Sequence, residues 1–234
     1  MILCILIITM AWTPGVNISM IISVKYIPLV AAIFVVTAAS AEERTVKADV
    51  WADNWFALYL DSELIKEDSV PYNTEQSFNK ETFTFTAELP AQVAIIAKDF
   101  KENDSGVEYI GRRRQQVGDG GLSAQFHDAE TGELIAASDE TWLCMSIHRA
   151  PLNMSCERSP NPLQDCEMDI SPEPEGWTSS DFDDSDWPNA VVHSAQAVRP
   201  LRGYHEVDWD AGAKLLWADD LEIDNTILCR VVLK

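Results

Sequence analysis

The chain has 234 residues, of which 38 are acidic and 17 basic, and its formal net charge is −21 at pH 7. A protein this acidic repels nucleic-acid phosphates and anionic membrane surfaces, so we expect neither as a partner. Hydrophobic residues make up 47% of the sequence, which is enough for a folded core and argues against a disordered chain.

The first 41 residues are predicted to be a secretory signal peptide. They hold no acidic residue and one basic residue, Lys25, which precedes an apolar run that ends in Ala-Ser-Ala at 39–41. A small-x-small ending is typical of a cleavage site, and the run is shorter than the roughly 20 residues that span a bilayer. We therefore expect a secreted protein that begins at Glu42, with a retained membrane anchor as the alternative. Met20 is an alternative start that would give a more ordinary signal length.

The remainder, residues 42–234, suits a single β-sandwich domain, because short strand signals alternate with turns and no sustained helical periodicity occurs. Residues 81–89 alternate Thr with Phe, as in a half-buried strand, and 93–98 is an apolar run typical of a strand buried on both faces. Asp128 to Gly132 is a hairpin turn signal. The predicted strands cover 45–51, 55–60, 64–65, 81–89, 93–98, 122–126, 134–137, 191–193 and 226–233.

Four cysteines follow the signal segment, and an even number in an exported chain predicts two disulfides, for which three pairings exist. Cys144 and Cys229 lie in strand-like runs, whereas Cys156 and Cys166 flank a short loop with Pro and Asn. We predict the bonds Cys144–Cys229 and Cys156–Cys166, the second stapling a long loop region at 144–188. A zinc site is disfavoured because no Cys-x2-Cys pair occurs.

The loop 181–190 combines four aspartates with one Phe and one Trp, which disfavours both a regular helix and a plain strand. We expect Phe182 and Trp187 to fold inward and plug the sandwich while the aspartates cap backbone amides. The aspartates could also bind calcium, but they lack the EF-hand spacing, so turn capping is the preferred interpretation and a structural calcium ion is kept as an alternative. These aspartates are Asp181, Asp183, Asp184 and Asp186.

Three segments, read in order, resemble the galactose-binding-like jelly-roll β-sandwich domains that accompany secreted glycoside hydrolases. Residues 52–64 (ADNWFALYLDSEL) resemble the family's first hairpin, with Asp61-Ser62 where Asn-Gly is usual. Residues 121–142 resemble its strand-turn-strand closing on Asp-x-Ser-Trp, present here as SDETW, and 177–190 resemble its Trp…Phe-Asp-Asp-Ser-x-Trp-x-x-Ala stretch. The resemblance implies an all-β jelly roll and points toward carbohydrate.

The segment 51–55 is the first candidate sugar site. Trp51 and Trp55 offer aromatic faces for a pyranose, and Asp53 and Asn54 offer planar groups for its hydroxyls. The alternative interpretation is that Asp53-Asn54 makes a turn and the Trp rings belong to the core.

The loop 98–121 is the second candidate. It brings Tyr109 together with Arg112, Arg113 and Arg114, a positive island suited to a uronic acid or a sulfated sugar. The alternatives are salt bridges to the protein's own carboxylates and proteolytic processing at the basic run.

Catalysis is not expected, since neither Gly-x-Ser-x-Gly nor His-Glu-x-x-His occurs and no carboxylate pair stands out for glycoside cleavage. Asn103 and Asn153 begin glycosylation sequons, which matter if the source glycosylates its exported proteins. The sequence thus predicts a secreted, non-catalytic, lectin-like module that binds a glycan or extracellular polysaccharide. The runner-up is a structural or adhesive extracellular module that binds protein partners, and a glycan-cleaving enzyme comes third.

Overall fold

The structure is a computed structural model that describes residues 42–234, so the predicted signal segment and Met20 lie outside the described residues. Strands dominate, and each helix is at most about one turn long. None of the helices in the described range is long and apolar enough to cross a membrane. The strands are β1 (Glu42–Asp53), β2 (Trp55–Leu60), β3 (Glu63–Glu67), β4 (Lys80–Leu89), β5 (Ala91–Lys98), β6 (Val107–Glu108), β7 (Gln116–Val117), β8 (Gly121–Asp128), β9 (Leu134–Ala137), β10 (Leu143–Arg149), β11 (Asp169–Ile170), β12 (Val191–His193), β13 (Leu215–Trp217) and β14 (Asp224–Leu233); the helices are α1 (Pro162–Asp165) and α2 (Ala195–Val198), with 3-10 turns at Met154–Cys156 and Arg202–Glu206.

Two antiparallel sheets account for most of these strands. The first has the order β12-β13-β8-β1-β4, with β9 also pairing to β8, and the second has the order β11-β10-β14-β5-β2-β3. Strands β6 and β7 form a separate small ribbon. The all-β prediction is therefore confirmed, and two large antiparallel sheets with few helices fit the predicted β-sandwich.

The main core lies between the two sheets, because alternate side chains of each strand point the same way. Val46, Ala48 and Val50 on β1 belong to the same buried cluster as Val93 and Ile95 on β5. Full burial of one such Val or Ile side chain contributes about 1.5–3 kcal/mol. The other residues of β5 are also covered, as predicted for the run 93–98, because a second apolar cluster packs on the outer face of its sheet.

Both predicted disulfides are confirmed. The bond Cys144–Cys229 joins β10 to its neighbour β14 within the core, across a sequence separation of 85 residues. The bond Cys156–Cys166 closes a loop of 10 residues between β10 and β11. Both bonds thus link segments whose strand or loop character was already visible in the sequence.

The β2–β3 hairpin turns at Asp61-Ser62, although Asn-Gly is the usual pair there in the domains that this segment resembles. Both residues have positive φ angles, 42° and 73°, and Leu60 pairs directly with Glu63 across the turn. Two central residues with positive φ define the twisted two-residue turn that hairpins prefer. The Asp61 carboxylate also accepts a hydrogen bond from the Ser180 amide (2.9 Å), which ties the turn to the acidic loop.

The acidic loop 181–190 corrects one prediction. Phe182 and Trp187 do fold inward, but they pack on the outer face of the second sheet, beside Trp177, and do not plug the space between the sheets. The reason is a buried cation on that face: Arg230 of β14 is only 2% exposed and its Nε donates to Asp184 Oδ2 at 2.7 Å. Arg230 also donates to the carbonyls of Trp177 and Ser179.

Only one of the four aspartates in that loop caps a backbone amide. Asp183 Oδ1 accepts from the Ser185 amide (3.1 Å), while Asp184 is committed to Arg230. Asp181 and Asp186 are exposed and have no side-chain hydrogen bond within the described residues. The capping prediction is therefore right for Asp183 and wrong for the other three aspartates.

Candidate functional site

Four acidic side chains come together at one end of the sandwich, from four different elements. Asp53 is the last residue of β1, and Asp99 directly follows β5. Glu108 lies in the small strand β6, and Asp119 precedes β8. The end of β1 lies beside the start of β8, because Asp53 pairs with Gly121. The site therefore lies at the ends of the strands.

Three of these carboxylates are in mutual contact range. One oxygen each of Asp53, Asp99 and Asp119 lies within 4.8 Å of the others. Asp53 is 4% exposed and Asp99 is 1% exposed. Asp99 Oδ1 accepts one hydrogen bond, from the Phe100 amide at 2.7 Å, whereas the Asp53 carboxylate accepts none from residues 42–234. Buried carboxylates of this kind are normally paired or hydrogen-bonded, so the arrangement requires a proton or a cation.

Asn54 holds the two halves of this end together. Its amide donates to the Lys98 carbonyl (2.9 Å), and its side-chain Oδ1 accepts from the Phe100 amide (2.5 Å). Its Nδ2 donates to the Ser77 carbonyl at 3.1 Å. Asn54 therefore joins the β1–β2 connection to the end of β5 and positions the neighbouring Asp53 against Asp99.

The glycines of the segment 118–121 allow a close backbone approach. A β-carbon on Gly118 would lie 1.7 Å from Asp99 Oδ2, and one on Gly120 would lie 2.4 Å from the Trp217 ring. Only residues without a side chain let this segment pass between the ring and the carboxylate. The tight packing of this segment is what carries Asp119 into the cluster.

Burial dominates the electrostatics of the cluster. It raises the pKa of Asp53 and of Asp99 well above the usual value for a carboxyl, and neighbouring carboxylates raise both pKa values further. Burial also raises the pKa of Glu108, to about 8, and the pKa of Asp119. The Arg199 guanidinium opposes the shift at Asp119, with Nη2 at 3.5 Å from Oδ2.

Compensating positive charge is scarce at this site. Among the described residues, Arg199 is the only cationic side chain within 4 Å of a cluster carboxylate, and it reaches Asp119 alone. Three carboxylates that share a small, desolvated space repel one another strongly when ionised. The side chains that could bind a metal ion here offer only carboxylate oxygen atoms, and the cluster has no His or Cys. These ligands suit a hard divalent cation such as Ca²⁺ better than zinc.

The aromatic residues predicted to receive a sugar are mostly covered. Trp51 is 0% exposed, contacts Tyr204 edge to face at 5.3 Å and donates its Nε1 to the Phe78 carbonyl. Trp55 is 8% exposed and packs against Tyr72. Both Trp rings are therefore buried in the protein's interior, which agrees with the alternative interpretation of the segment 51–55.

Tyr109 is likewise covered, and its cover is one of the predicted arginines. The ring is 7% exposed, with Phe100 stacked on it at 5.7 Å and the Arg114 guanidinium over it at 3.7 Å. A cation held over a ring at this distance is favourable, but it leaves little of the ring for a sugar.

The arginine run 112–114 is exposed at the same end of the molecule as the cluster. Arg112 and Arg114 both form ion pairs of 2.8 Å with Glu75. Arg113 has no ion pair within the described range and remains accessible. The run therefore combines salt bridging to the protein's own carboxylate with one guanidinium that is available to a ligand.

The two sequons differ in their surroundings. Asn153 uses both side-chain atoms to brace the disulfide loop, with Nδ2 donating to the Asp165 carbonyl and Oδ1 accepting from the Glu167 amide. Asn103 uses only Oδ1, which accepts from the Ser105 amide at 2.9 Å. A glycan attached to Nδ2 of Asn103 would therefore disturb fewer hydrogen bonds than one attached to Nδ2 of Asn153.

Sequence reasoning singled out Asp53 but not its partners Asp99, Glu108 and Asp119. The signal that could have found Asp99 and Asp119 is their position close to predicted strand ends, where the chain turns, whereas Glu108 lies in the middle of the predicted loop and carries no such signal. No spacing pattern connects them, because 66 residues separate Asp53 from Asp119 and their proximity arises only from the sheet topology.

Comparison with known proteins provides no family for this chain. No protein-family model matches its sequence, no curated protein matches it, and no solved structure matches its fold.

Proposed function

We propose that this chain is a secreted, non-catalytic module of the galactose-binding-like jelly-roll kind that binds calcium at Asp53, Asp99 and Asp119 and binds carbohydrate at the same end of the sandwich. The observation that carries the proposal is the convergence of three carboxylates within 4.8 Å, two of them more than nine-tenths buried. The two disulfides support an oxidising, extracellular location.

The calcium part rests on the chemistry of the cluster. Ca²⁺ takes six to eight oxygen ligands, for which carboxylates, backbone carbonyls and water serve. Asp53 has no hydrogen-bond donor within residues 42–234 and would gain the most from a cation. Burial, and to a smaller extent Asp119, raise the pKa of Glu108 to about 8, so this further carboxyl group is largely protonated at neutral pH and a bound cation would favour its ionised form.

The carbohydrate part rests on the resemblance and on the arginines at this end. Because Trp51, Trp55 and Tyr109 are covered, ring stacking is a poor mode of sugar recognition here. The exposed run 112–114 favours instead an anionic sugar, since a guanidinium binds carboxylate and sulfate groups with its planar fork. We therefore expect uronic-acid or sulfated glycans to be preferred over neutral ones.

Calcium titration by calorimetry tests the cation site. We expect one calcium ion per chain for the wild type and a loss of affinity of about a hundredfold for Asp119→Asn, a loss that corresponds to about 2.7 kcal/mol of binding free energy. Asp186→Asn is the matched control, because Asp186 is exposed and lies outside the cluster. Wild-type calcium binding by Asp119→Asn, or no binding by the wild type, would contradict the site.

A glycan array with neutral, uronic-acid and sulfated glycans tests the carbohydrate part. We expect binding of acidic glycans that weakens in EDTA and in the triple variant R112A/R113A/R114A. Arg44→Ala is the control, since this arginine pairs with Glu42 and Asp128 near the start of β1, at the opposite end of that strand from Asp53. An array without any bound glycan would refute the lectin-like function. It would not bear on the calcium site, which the titration tests separately.

A further inference from the structure

Strand β4 is an unpaired edge of the first sheet. It has ten residues and pairs along its whole length with β1, from Leu89 opposite Glu42 to Lys80 opposite Trp51, without a bulge. It is the last strand in the order β12-β13-β8-β1-β4. Its backbone has no hydrogen-bonding partner other than β1 within the described part of the chain, although Gly203 of the 3-10 turn Arg202–Glu206 packs against the amide of its first residue, Lys80.

From Thr82 to Glu88 this edge has few of the devices that normally keep sheet edges apart. Proteins protect exposed edges with prolines, bulges, inward-pointing charges or very short strands. The central residues of β4 are Thr and Phe, and Thr82, Thr84 and Thr86 are exposed on its outer face. One charge does point inward, Glu81, but it is neutralised by Lys66 of β3 at 2.8 Å. A long, regular edge of this composition is suited to pairing with another strand.

We propose that β4 pairs antiparallel with β4 of a second copy of this chain, about a two-fold axis at Thr84, so that the first sheet continues from one copy into the other. A two-fold axis perpendicular to the sheet places the inner side chains of one copy beside the inner side chains of the other. Even-numbered residues therefore pair with even-numbered residues, and odd-numbered with odd-numbered ones. This inference does not depend on the proposed function.

The register centred on Thr84 is favoured by the side chains that it brings together. Lys80 of each copy lies opposite Glu88 of the other, which forms two ion pairs. On the inner face, Phe83 lies opposite Phe85, an aromatic cross-strand pair of the kind that stabilises sheets. On the outer face Thr82 lies opposite Thr86, and β-branched residues of this kind are preferred in strands.

The neighbouring registers of the same parity lose these contacts. If one strand slides by two residues relative to the other, either Lys80 lies opposite Thr86 or Glu88 lies opposite Thr82. The charged pairs then disappear. Within one copy, Glu88 lies directly opposite Glu43 of β1, and like charges in that position repel. Lys80 of a second copy would relieve that repulsion, which is the specific reason to expect a second copy at this edge.

Sedimentation analysis of the exported protein at about 0.15 M ionic strength tests this pairing. We expect a reversible dimer for the wild type. Lys80→Glu or Glu88→Lys alone replaces two attractive pairs by two repulsive ones, and we expect either to weaken the dimer by at least about tenfold. The double variant K80E/E88K restores opposite charges across the axis and should return the dimer to near wild-type strength.

A second pair of variants separates edge pairing from a general effect of charge. Thr84→Lys places two ammonium groups opposite each other at the axis and should abolish the dimer. Thr45→Lys makes the same change at an exposed position on β1, directly beside Thr86 but away from the edge, and should leave the dimer intact. Circular dichroism melting of each variant verifies that the monomer still folds.

Three outcomes would overturn the proposal. They are a wild-type protein that stays monomeric at all concentrations, a dimer that ignores the single charge reversals, and a double variant that fails to recover. Protein that dimerises only when residues 1–41 are retained would also refute it, because another segment would then form the contact.

Discussion

The Asp99 carboxylate lies directly against the backbone of Gly118, so close that a β-carbon at residue 118 would be 1.7 Å from Oδ2. Asp99 itself is anchored, since its amide donates to the Asn225 carbonyl at 2.9 Å. The segment after Gly118, which carries Asp119, is therefore the part that would have to move if residue 118 gained a side chain.

Gly118→Ala is expected to separate Asp119 from the other two carboxylates. The added methyl group overlaps Asp99 Oδ2, and overpacking of this kind costs about 1–3 kcal/mol of stability. Calorimetry should show a loss of calcium affinity of at least about tenfold, a loss that corresponds to about 1.4 kcal/mol. Gly212→Ala is the control, because its nearest neighbour is the flexible Asp210 side chain at 3.2 Å. Equal calcium affinity in both variants would contradict the role of Gly118.

The metal-free protein is expected to lose stability as the pH rises. Burial raises the pKa of Asp53 and Asp99, and that of Glu108 to about 8, above the usual value of roughly 4 for an unfolded chain. Between those values the folded state binds protons that the unfolded state has released, so the free energy of unfolding falls with increasing pH. His148, whose pKa burial lowers, acts in the opposite sense below roughly pH 6.5.

Melting temperatures in EDTA between about pH 7 and about pH 9 measure this effect without the contribution of His148. We expect a decrease over that interval, a smaller decrease in the variant Asp99→Asn, and a recovery when calcium replaces the protons. A melting temperature that rises with pH in EDTA would show that the cluster is not desolvated.

The two disulfides are expected to differ in their contribution to stability. A longer closed loop restrains the unfolded chain more, which gives about 4.6 kcal/mol for the 85-residue separation of Cys144 and Cys229 and about 2.7 kcal/mol for the 10-residue separation of Cys156 and Cys166. Denaturant unfolding of the double alanine variants C144A/C229A and C156A/C166A measures both. A larger loss for the short loop would mean that its disulfide acts through native-state packing.

Arg230→Met is expected to release the acidic loop from the second sheet. Arg230 is buried and donates to Asp184 and to the carbonyls of Trp177 and Ser179, and each acceptor that is left buried without its donor costs about 1–3 kcal/mol. Hydrogen exchange should accelerate in residues 176–187 of the variant and remain unchanged in β1 and β4. Asp186→Asn, in the same loop but without a contact to Arg230, should leave exchange at the wild-type rate.

Much of the fold could be read from local features of the chain. The alternation of Thr and Phe in 81–89 and the apolar run 93–98 located two strands, and the strand-like surroundings of Cys144 and Cys229 led to the correct disulfide. Such features are local because backbone dihedral preferences and side-chain periodicity depend on neighbouring residues. The face on which Phe182 and Trp187 pack could not be read in this way, since it depends on Arg230, some 40 residues further along the chain.

The candidate site was decided by the tertiary structure. Trp55 and Tyr109 were plausible sugar-binding rings until their neighbours Tyr72 and Arg114 were seen to cover them. Asp53 looked like a turn residue until Asp99 and Asp119 were seen within 4.8 Å of it. Desolvation and Coulomb repulsion depend on distances in space, and sheet topology sets those distances between residues that are far apart in the chain. Many strand positions and the disulfide partners could therefore be predicted from the sequence. The carboxylate cluster could not, because it forms only when folding brings the strand ends together.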